Sequence, residues 1–573
     1  MSNIGHVPEE INVGRGDPVY MAHAYLTKVP VPAIVPFIEA YCPPGGVVAD
    51  PFAGSGMTGV AAAVSGRRAR LSDISVLGRH IGSNYVNLVD GTALQEAAKR
   101  VIAEAKASVG SVYMVPGPDG ALELVKTVWS VLVECLACGS HVNYYRSMEA
   151  AGWSKQQMVC PVCGASVSSR NPRVGEEPVL DYVRQPGSKT QEEREAQNVS
   201  SKGDFEVPGF PVVEITPDRE MYKSSALGKN GLTTVASFYS PRNLRVLAAL
   251  RQAIQAEPQS DLRSKLLFAF TATLTRASKR YQWSRQRPLN AANANYYIAP
   301  VFYEWNVFDL FERKVVAARR SDEWIEQERS RGLLRDEAPL DVTYQIASAD
   351  CLPYEDASVD YVFTDPPFGS NLFYADMALF QEGWLGGFTD VSREAVIDRS
   401  RGTQRSSTRY EDLLSNALSE CRRILKPGGR ISMIFGNSSG SVWALVQRAV
   451  AKAGLGIEPE DIAILNKGQR SVKGLASGFE HVATLDLILT MQAADVPVSR
   501  TLHRPTRDEV TTVTAQLAED GHPTPSHLYL ELLRHAIRHG WSVADLDLKN
   551  VTRTLVAGGW GIDTKSGRIA RVS

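Results

Sequence analysis

Apolar and polar positions alternate over residues 358–363 (Ser-Val-Asp-Tyr-Val-Phe) and end in an apolar run, the pattern of a short buried strand. That strand runs directly into Thr364-Asp365-Pro366-Pro367-Phe368-Gly369, a turn stiffened by two prolines that offer no N–H. Short apolar runs at 47–50, 431–435 and 484–491 predict further strands, 70–73 (Arg-Leu-Ser-Asp) looks like the end of another, and 341–349 leads to Asp350. Helical patterning covers 33–41, 96–108, 243–256, 261–275, 307–331, 410–425, 443–453 and 526–540, with strands expected over 122–133. Strands and helices alternate on both sides of a long interruption. The expected fold class is therefore α/β, a mostly parallel sheet assembled from two halves distant in sequence.

At 573 residues the chain is too long for one core, and two to four domains are expected. With 44% apolar and 22% charged residues it has an ordinary globular composition, and a net charge of −1 excludes a uniformly basic nucleic-acid coat. Binding to nucleic acid would have to use local patches. Residues 1–16 are polar and carry no signal-peptide core, and no apolar run approaches membrane-spanning length. Of seven cysteines, four lie in two CxxC pairs, which fits a reducing, cytoplasmic setting better than a disulfide framework.

Two stretches concentrate the chemistry. The first is Asp50-Pro51-Phe52-Ala53-Gly54-Ser55-Gly56, between a short strand and an alanine-rich helix, with Asp73 at the end of the next strand. Gly54 and Gly56 let the backbone turn sharply against a ligand, the helix N-terminus favours a negative group, and Asp73 would accept from ribose hydroxyls. Gly54-x-Gly56-x-x-Gly59 also matches the dinucleotide fingerprint, so NAD binding competes at this point. The second is the proline turn. There the Asp365 carboxylate and the carbonyls of Asp365 and Pro366 are acceptors at a strand end, with Phe368 as an apolar plate beside them. Such a set suits a planar ring bearing an exocyclic amine; a plain strand-ending turn is the competing reading.

Residues 50–56 resemble motif I of amino-directed DNA methyltransferases, which bind S-adenosylmethionine, and 364–368 resemble their motif IV, the DPPY/F signature of N6-adenine methylation. The segment from His23 to Pro30, with Lys28, resembles the one preceding motif I in the same enzymes. Asp350 falls where such enzymes place an acid facing the cofactor's adenine, although a strand-end cap explains it nearly as well. The resemblance implies a Rossmann-like S-adenosylmethionine-dependent sheet. Its cofactor-binding residues would be Lys28, Asp50, Pro51, Phe52, Gly54, Gly56, Asp73 and Asp350; its catalytic residues would be Asp365, Pro366, Pro367 and Phe368. Asp365 and the Pro366 carbonyl would accept the amine hydrogens of an adenine flipped out of duplex DNA, and Phe368 would stack on it. Methylation of cytosine N4 or of an RNA base uses the same geometry. A DNA-binding subunit of a defence complex with weak or lost methylation is the rival from another class.

Between the halves stand Cys135-x-x-Cys138-Gly139 and Cys160-x-x-Cys163-Gly164, with 21 residues between the pairs. Two such knuckles complete a tetrahedral, closed structural Zn²⁺ site. This sharpens the resemblance to adenine-specific DNA methylases that contain a zinc ribbon, over roughly 20–495, and implies a restriction-modification or phage-defence setting in a prokaryote. Residues 185–204 are polar and low in aromatics, hence expected to be a mobile loop or linker. The segment 276–287 carries Arg276, Lys279, Arg280, Arg285 and Arg287 with Tyr281 and Trp283 interleaved and no acid, a candidate for phosphate contacts and stacking, or else a solvated helix face. Residues 392–409 hold five arginines, among them Arg399, Arg401 and Arg405, against Glu394 and Asp398, which reads as a strand-gripping lid over double-stranded DNA.

The expected organisation is a first catalytic half (1–92), a zinc-ribbon insert (93–205), a helical DNA-recognition region (206–336), a second catalytic half (337–495) and a helical accessory module (496–573). That last module reads as a separate appendage with a small hairpin over 555–568, serving as a partner-docking or winged-helix unit or as a stabilising cap.

Overall fold

The computed structural model describes residues 7–197, 212–225, 227–228, 231–285, 296–331, 340–369, 372–397, 406–468, 483–494, 502–521, 524–563 and 568–571. Eight strands form the central sheet: β1 (Glu10–Asn12), β2 (Val47–Asp50), β3 (Arg68–Asp73), β4 (Val342–Ile346), β5 (Val359–Thr364), β6 (Leu425–Phe435), β7 (Leu455–Asn466) and β8 (Asp486–Ala493). Across the sheet they run β1-β7-β8-β6-β5-β2-β3-β4. Neighbours are parallel throughout except at β8, which is antiparallel to both β6 and β7.

The central strands are apolar on both faces because both faces are covered. Successive side chains over 361–363 of β5 go to opposite sides: Tyr361 and Phe363 join one core, Val362 the other. Strand β4 pairs with β3 from Val342 opposite Ala69 to Ile346 opposite Asp73, which closes the two sequence-distant halves into one sheet. The strand order reverses between β2 and β5. In open α/β sheets ligands bind outside the carboxyl ends of the strands at that reversal.

The interruption folds around a second, antiparallel sheet built on the long strand Gly120–Glu134. Arg173–Arg184 pairs with one edge of it and Val301–Trp305 with the other, so the expected boundary at 205/206 falls within the chain path of a single sheet. Helices Gly91–Val109, Pro241–Ala256, Ser260–Ala277 and Val307–Arg331 pack together beside it. Within 185–204, Glu192–Glu195 is not a loop but an edge strand on Leu180–Val183, and 198–204 lie outside the described residues. An edge strand can be charged on both faces, so its composition resembles a linker's.

The C-terminal module is not a separate appendage. Leu528, Leu532, Trp541 and Val543 share a core with Trp443, Leu487 and Leu489 of the catalytic sheet. Its helices are Arg507–Glu519, Pro525–Arg538 and Leu548–Ala557. The hairpin begins later than expected, pairing Trp560–Ile562 with Ile569–Arg571.

Candidate active site

The ends of β2 and β5 open into one cleft. At the β2 end, Asp50 is 3% exposed and ties three elements together. Its Oδ1 accepts from Phe52 N at 3.0 Å and from the Thr364 hydroxyl at 2.9 Å; its Oδ2 accepts from the Thr58 hydroxyl at 2.6 Å. Burial pushes the Asp50 carboxyl up to about 7 against the pull of those hydroxyl donors. The glycine loop is held from the other side by Asp73, whose oxygens accept from Gly54 N at 2.8 Å and Ser75 N at 2.9 Å. Tyr344, on β4, donates to Gly54 O at 2.6 Å.

The two glycines do different work. Both have positive φ, 48° at Gly54 and 80° at Gly56. A Cβ on Gly54 would stand 3.1 Å from the Tyr25 ring, whereas one on Gly56 would stand 2.6 Å from Gly82 Cα, a backbone atom of the helix Val76–Tyr85. Gly54 lines the cleft and Gly56 does not. Gly56 is thus set by helix packing behind the loop and not by a ligand in front of it.

At the β5 end, Asp365 and Pro367 line the same cleft. Asp365 is half-buried, and no hydrogen bond reaches its carboxylate from the described residues. Burial pushes its carboxyl up to about 8; Lys467 opposes the shift, and Asp486 and Asp50 reinforce it. Lys467 and Asp486, just beyond β7 and at the start of β8, form a buried ion pair at 2.6 Å. The backbone past Asp365 is pinned: Tyr410 OH donates to Pro367 O at 2.6 Å and Asn437 Nδ2 to Phe368 O at 2.9 Å. Pro366 is buried, and the half-buried Phe368 ring packs on Phe435 at 5.0 Å; neither lines the cleft.

Asp50, Pro51, Phe52, Gly54, Asp73 and Asp350 all face the cleft. Lys28 does too, but its ammonium is turned away, donating to His23 O at 2.7 Å and to Tyr20 O at 2.5 Å. Burial brings it down to about 7, against the charge of Asp17. Lys28 therefore clamps the segment before the glycine loop. Sequence reading missed Tyr374, which lines the cleft and bonds Thr27 through its hydroxyl at 2.9 Å, and it missed Lys467 and Asp486. None of the three sits in a local motif.

The four cysteines meet. The Sγ atoms of Cys135, Cys138, Cys160 and Cys163 all lie within 4.8 Å of one another, with Cys135–Cys163 at 3.6 Å and Cys138–Cys160 at 3.8 Å. Zn–S bonds of about 2.3 Å in a tetrahedron put sulfurs about 3.8 Å apart, so the donor set fits zinc. Gly139 N donates to Cys135 O and Gly164 N to Cys160 O, closing the two knuckles.

The basic segment divides. Arg280 is only 3% exposed, with its guanidinium 4.5 Å over the Phe380 ring. Lys279 pairs with Glu176 at 2.6 Å, and Arg276 lies 5.0 Å over Tyr281. Tyr281 is buried, and Trp283 packs on Trp153 and Tyr145, so neither aromatic stands free as a wedge. Arg285 is exposed, over Trp153. Arg287, Arg399, Arg401 and Arg405 lie outside the described residues. Among the described residues no helix is long and apolar enough to cross a membrane.

No curated protein matches the chain. Among solved structures, a chain of the Haloferax volcanii complex between the Trm112 methyltransferase activator and a methyltransferase is 16% identical, over 30% of this chain and 67% of that one, with a TM-score of 0.16. An S-adenosylmethionine-dependent methyltransferase from Methanosarcina mazei is 10% identical, over 30% and 76%, at 0.16. Geranyl diphosphate C-methyltransferase from Streptomyces coelicolor A3(2) is 12% identical, over 27% and 55%, at 0.15. Likenesses this faint add nothing to what the strand order already says. Residues 5–90, which span β1 to β3 and the glycine loop, match the N6/N4 methyltransferase family model, described as a DNA methylase, and that match supports a DNA methyltransferase.

Proposed function

We propose that the protein is an S-adenosylmethionine-dependent DNA methyltransferase that acts on the N6 amine of an adenine flipped out of duplex DNA. The observation that carries this reading is the Asp365 carboxylate, which no described residue hydrogen-bonds. It lies at the sheet's reversal point in the same cleft as the Asp50–Gly54 loop. In this reading Asp73 and Asp350 hold the nucleoside part of the cofactor, and Pro51, Phe52 and Gly54 line its path, which is supported by all five facing one cleft. When bound, the cofactor supplies an electrophilic methyl group.

The chain's own residues prepare the amine. Adenine's exocyclic nitrogen is a weak nucleophile because its lone pair is delocalised into the ring. Asp365, as carboxylate, accepts one amine hydrogen and the Pro366 carbonyl a second, which draws the nitrogen toward tetrahedral geometry. Positioning then supplies most of the rate. Phe368, whose ring rests on Phe435 just outside the cleft, would turn to stack on the extruded base, and phenylalanine in place of tyrosine keeps the stacking face. Asp before Pro-Pro tilts the choice toward adenine by resemblance. The four-cysteine cluster serves as a structural Zn²⁺ site, closed and without an open coordination position. A restriction-modification or phage-defence setting follows from the resemblance alone.

The test is direct. The purified protein is incubated with isotopically labelled S-adenosylmethionine and PCR-amplified DNA of mixed sequence, and the digested nucleosides are identified by mass spectrometry. Labelled N6-methyladenine is expected. Labelled N4-methylcytosine would move the substrate to cytosine, and cofactor binding without any labelled base would leave a DNA-binding subunit. Elemental analysis of protein purified without chelator should find about one zinc per chain, and Cys135→Ser should release it and unfold the ribbon.

A further inference from the structure

The turn that leaves β6 holds the acceptor motif from behind. Asn437 Nδ2 donates to Phe368 O at 2.9 Å, its Oδ1 accepts from Ser439 N at 2.9 Å, and its backbone carbonyl accepts from Trp443 Nε1 at 2.9 Å. The helix that follows, Gly440–Lys452, has Ser439 in the N-cap position, yet Ser439 makes no capping bond to it. The cap comes from 107 positions downstream: Asp547 Oδ1 accepts from Gly440 N at 2.8 Å. Leu548 N completes the exchange by donating to Ser438 O at 3.0 Å.

Position 440 has no room for a side chain. A Cβ there would lie 2.3 Å from Val543 O and 2.7 Å from Leu546 N. Two turns along the helix, Gln447 brackets the same loop, donating to Trp541 O at 3.0 Å and accepting from Val543 N at 3.3 Å. These contacts engage backbone on both sides, so they fix position as well as bury area. They also occupy the N-terminus of helix Leu548–Ala557, the end a groove-reading helix would present to DNA.

We propose that the C-terminal module positions the acceptor motif, with Asp547 as the positioning residue that holds the Asn437 turn and, through it, Phe368. The proposal rests on the reading of 364–368 as the base-binding motif. Its test does not depend on methyl transfer. Hydrogen exchange is followed by mass spectrometry on the full chain. With Asp547→Ala, the peptide over 362–369 should exchange about fivefold faster, the size of one lost cap, while the peptide over 50–60 keeps its rate. Asp547→Asn should restore the slower exchange, because its side-chain carbonyl can accept the same N–H. Asn437→Ala should speed exchange alone and leave Asp547→Ala nothing further to add, as for residues acting in series.

Unchanged exchange over 362–369 in Asp547→Ala overturns the proposal, and so does an Asp547→Ala effect that persists undiminished beside Asn437→Ala. Should Asp547→Ala fail to fold, Gln447→Ala is the milder release of the same loop; about twofold faster exchange over 362–369 supports the proposal, and no change overturns it. A wild type that methylates nothing would remove the functional reading while leaving the exchange result intact. In an active wild type, Asp547→Ala should lower kcat about fivefold with unchanged affinity for S-adenosylmethionine.

Discussion

The carboxyl ends of β2 and β5 face the same cleft and are built in opposite ways. At β2 the carboxylates are engaged: Asp50 takes three hydrogen bonds and Asp73, at the end of the adjoining β3, takes two, from the loop, strand and helix starts they join. At β5 the backbone is pinned by Tyr410 and Asn437 while the Asp365 side chain receives no such bond among the described residues. One end is a finished cradle. The other is a fixed turn whose half-buried carboxylate no described residue hydrogen-bonds.

The largest expected effect tests that contrast at its centre. Asp365→Ala removes an acceptor that no described residue hydrogen-bonds, so methyl transfer should fall at least about 100-fold while calorimetry finds S-adenosylmethionine bound as before. Asp50→Ala should do the reverse first, lowering the denaturant midpoint because Thr58, Thr364 and Phe52 N lose their partner. If Asp365→Ala destabilises the fold and Asp50→Ala only slows the reaction, the two ends have been assigned backwards.

The next effect follows from charge. Asp365 sits in a site that raises its carboxyl to about 8 through burial, with Lys467 opposing. Below that pH the group is protonated and donates where the amine needs an acceptor; above it the carboxylate accepts. kcat/KM, which reports the free enzyme's groups, should therefore rise about tenfold per pH unit below 8 and level off above it. Asp365→Asn should flatten the profile. A rate that falls with rising pH across this window would contradict the acceptor role.

A smaller effect separates the two glycines of the cradle. Gly56→Ala drives a Cβ to 2.6 Å from Gly82 Cα, backbone that cannot yield locally, and should cost about 1–3 kcal/mol in a denaturant titration. Gly54→Ala meets the Tyr25 ring at 3.1 Å, and a side chain can give way. Its effect should appear first in cofactor affinity, because Gly54 lines the cleft. Equal stability losses at both positions would erase the distinction.

Much of this was legible in the chain. Short runs such as Val-Val-Ala-Asp and Tyr-Val-Phe declare strands buried on both faces, and the ordered pair of motifs carries the resemblance to amino-directed DNA methyltransferases. What escaped depends on long-range contact. The pairing of β4 with β3 spans the whole interruption, and nothing local at 342–346 announces it. Lys467 and Asp486 meet only because β7 and β8 are neighbours. Glu192–Glu195 looked like linker because an edge strand can be polar on both faces.

The same contrast between engaged and presented groups decides the smallest prediction, within the basic segment. By composition Arg280 and Arg285 are equivalent; by position they are not. Arg280 lies under the surface against Phe380, and Arg285 is exposed beside Trp153. Each phosphate contact contributes about 0.9 to the slope of log K against log salt. Arg285→Ala should lower that slope by about 0.9 and leave the denaturant midpoint alone. Arg280→Met should lower stability and leave the slope unchanged, because its guanidinium is buried against Phe380. A slope that drops for Arg280→Met but not for Arg285→Ala would mean that DNA enters between helices Ser260–Ala277 and Tyr374–Leu385 and that this part of the protein opens to admit it.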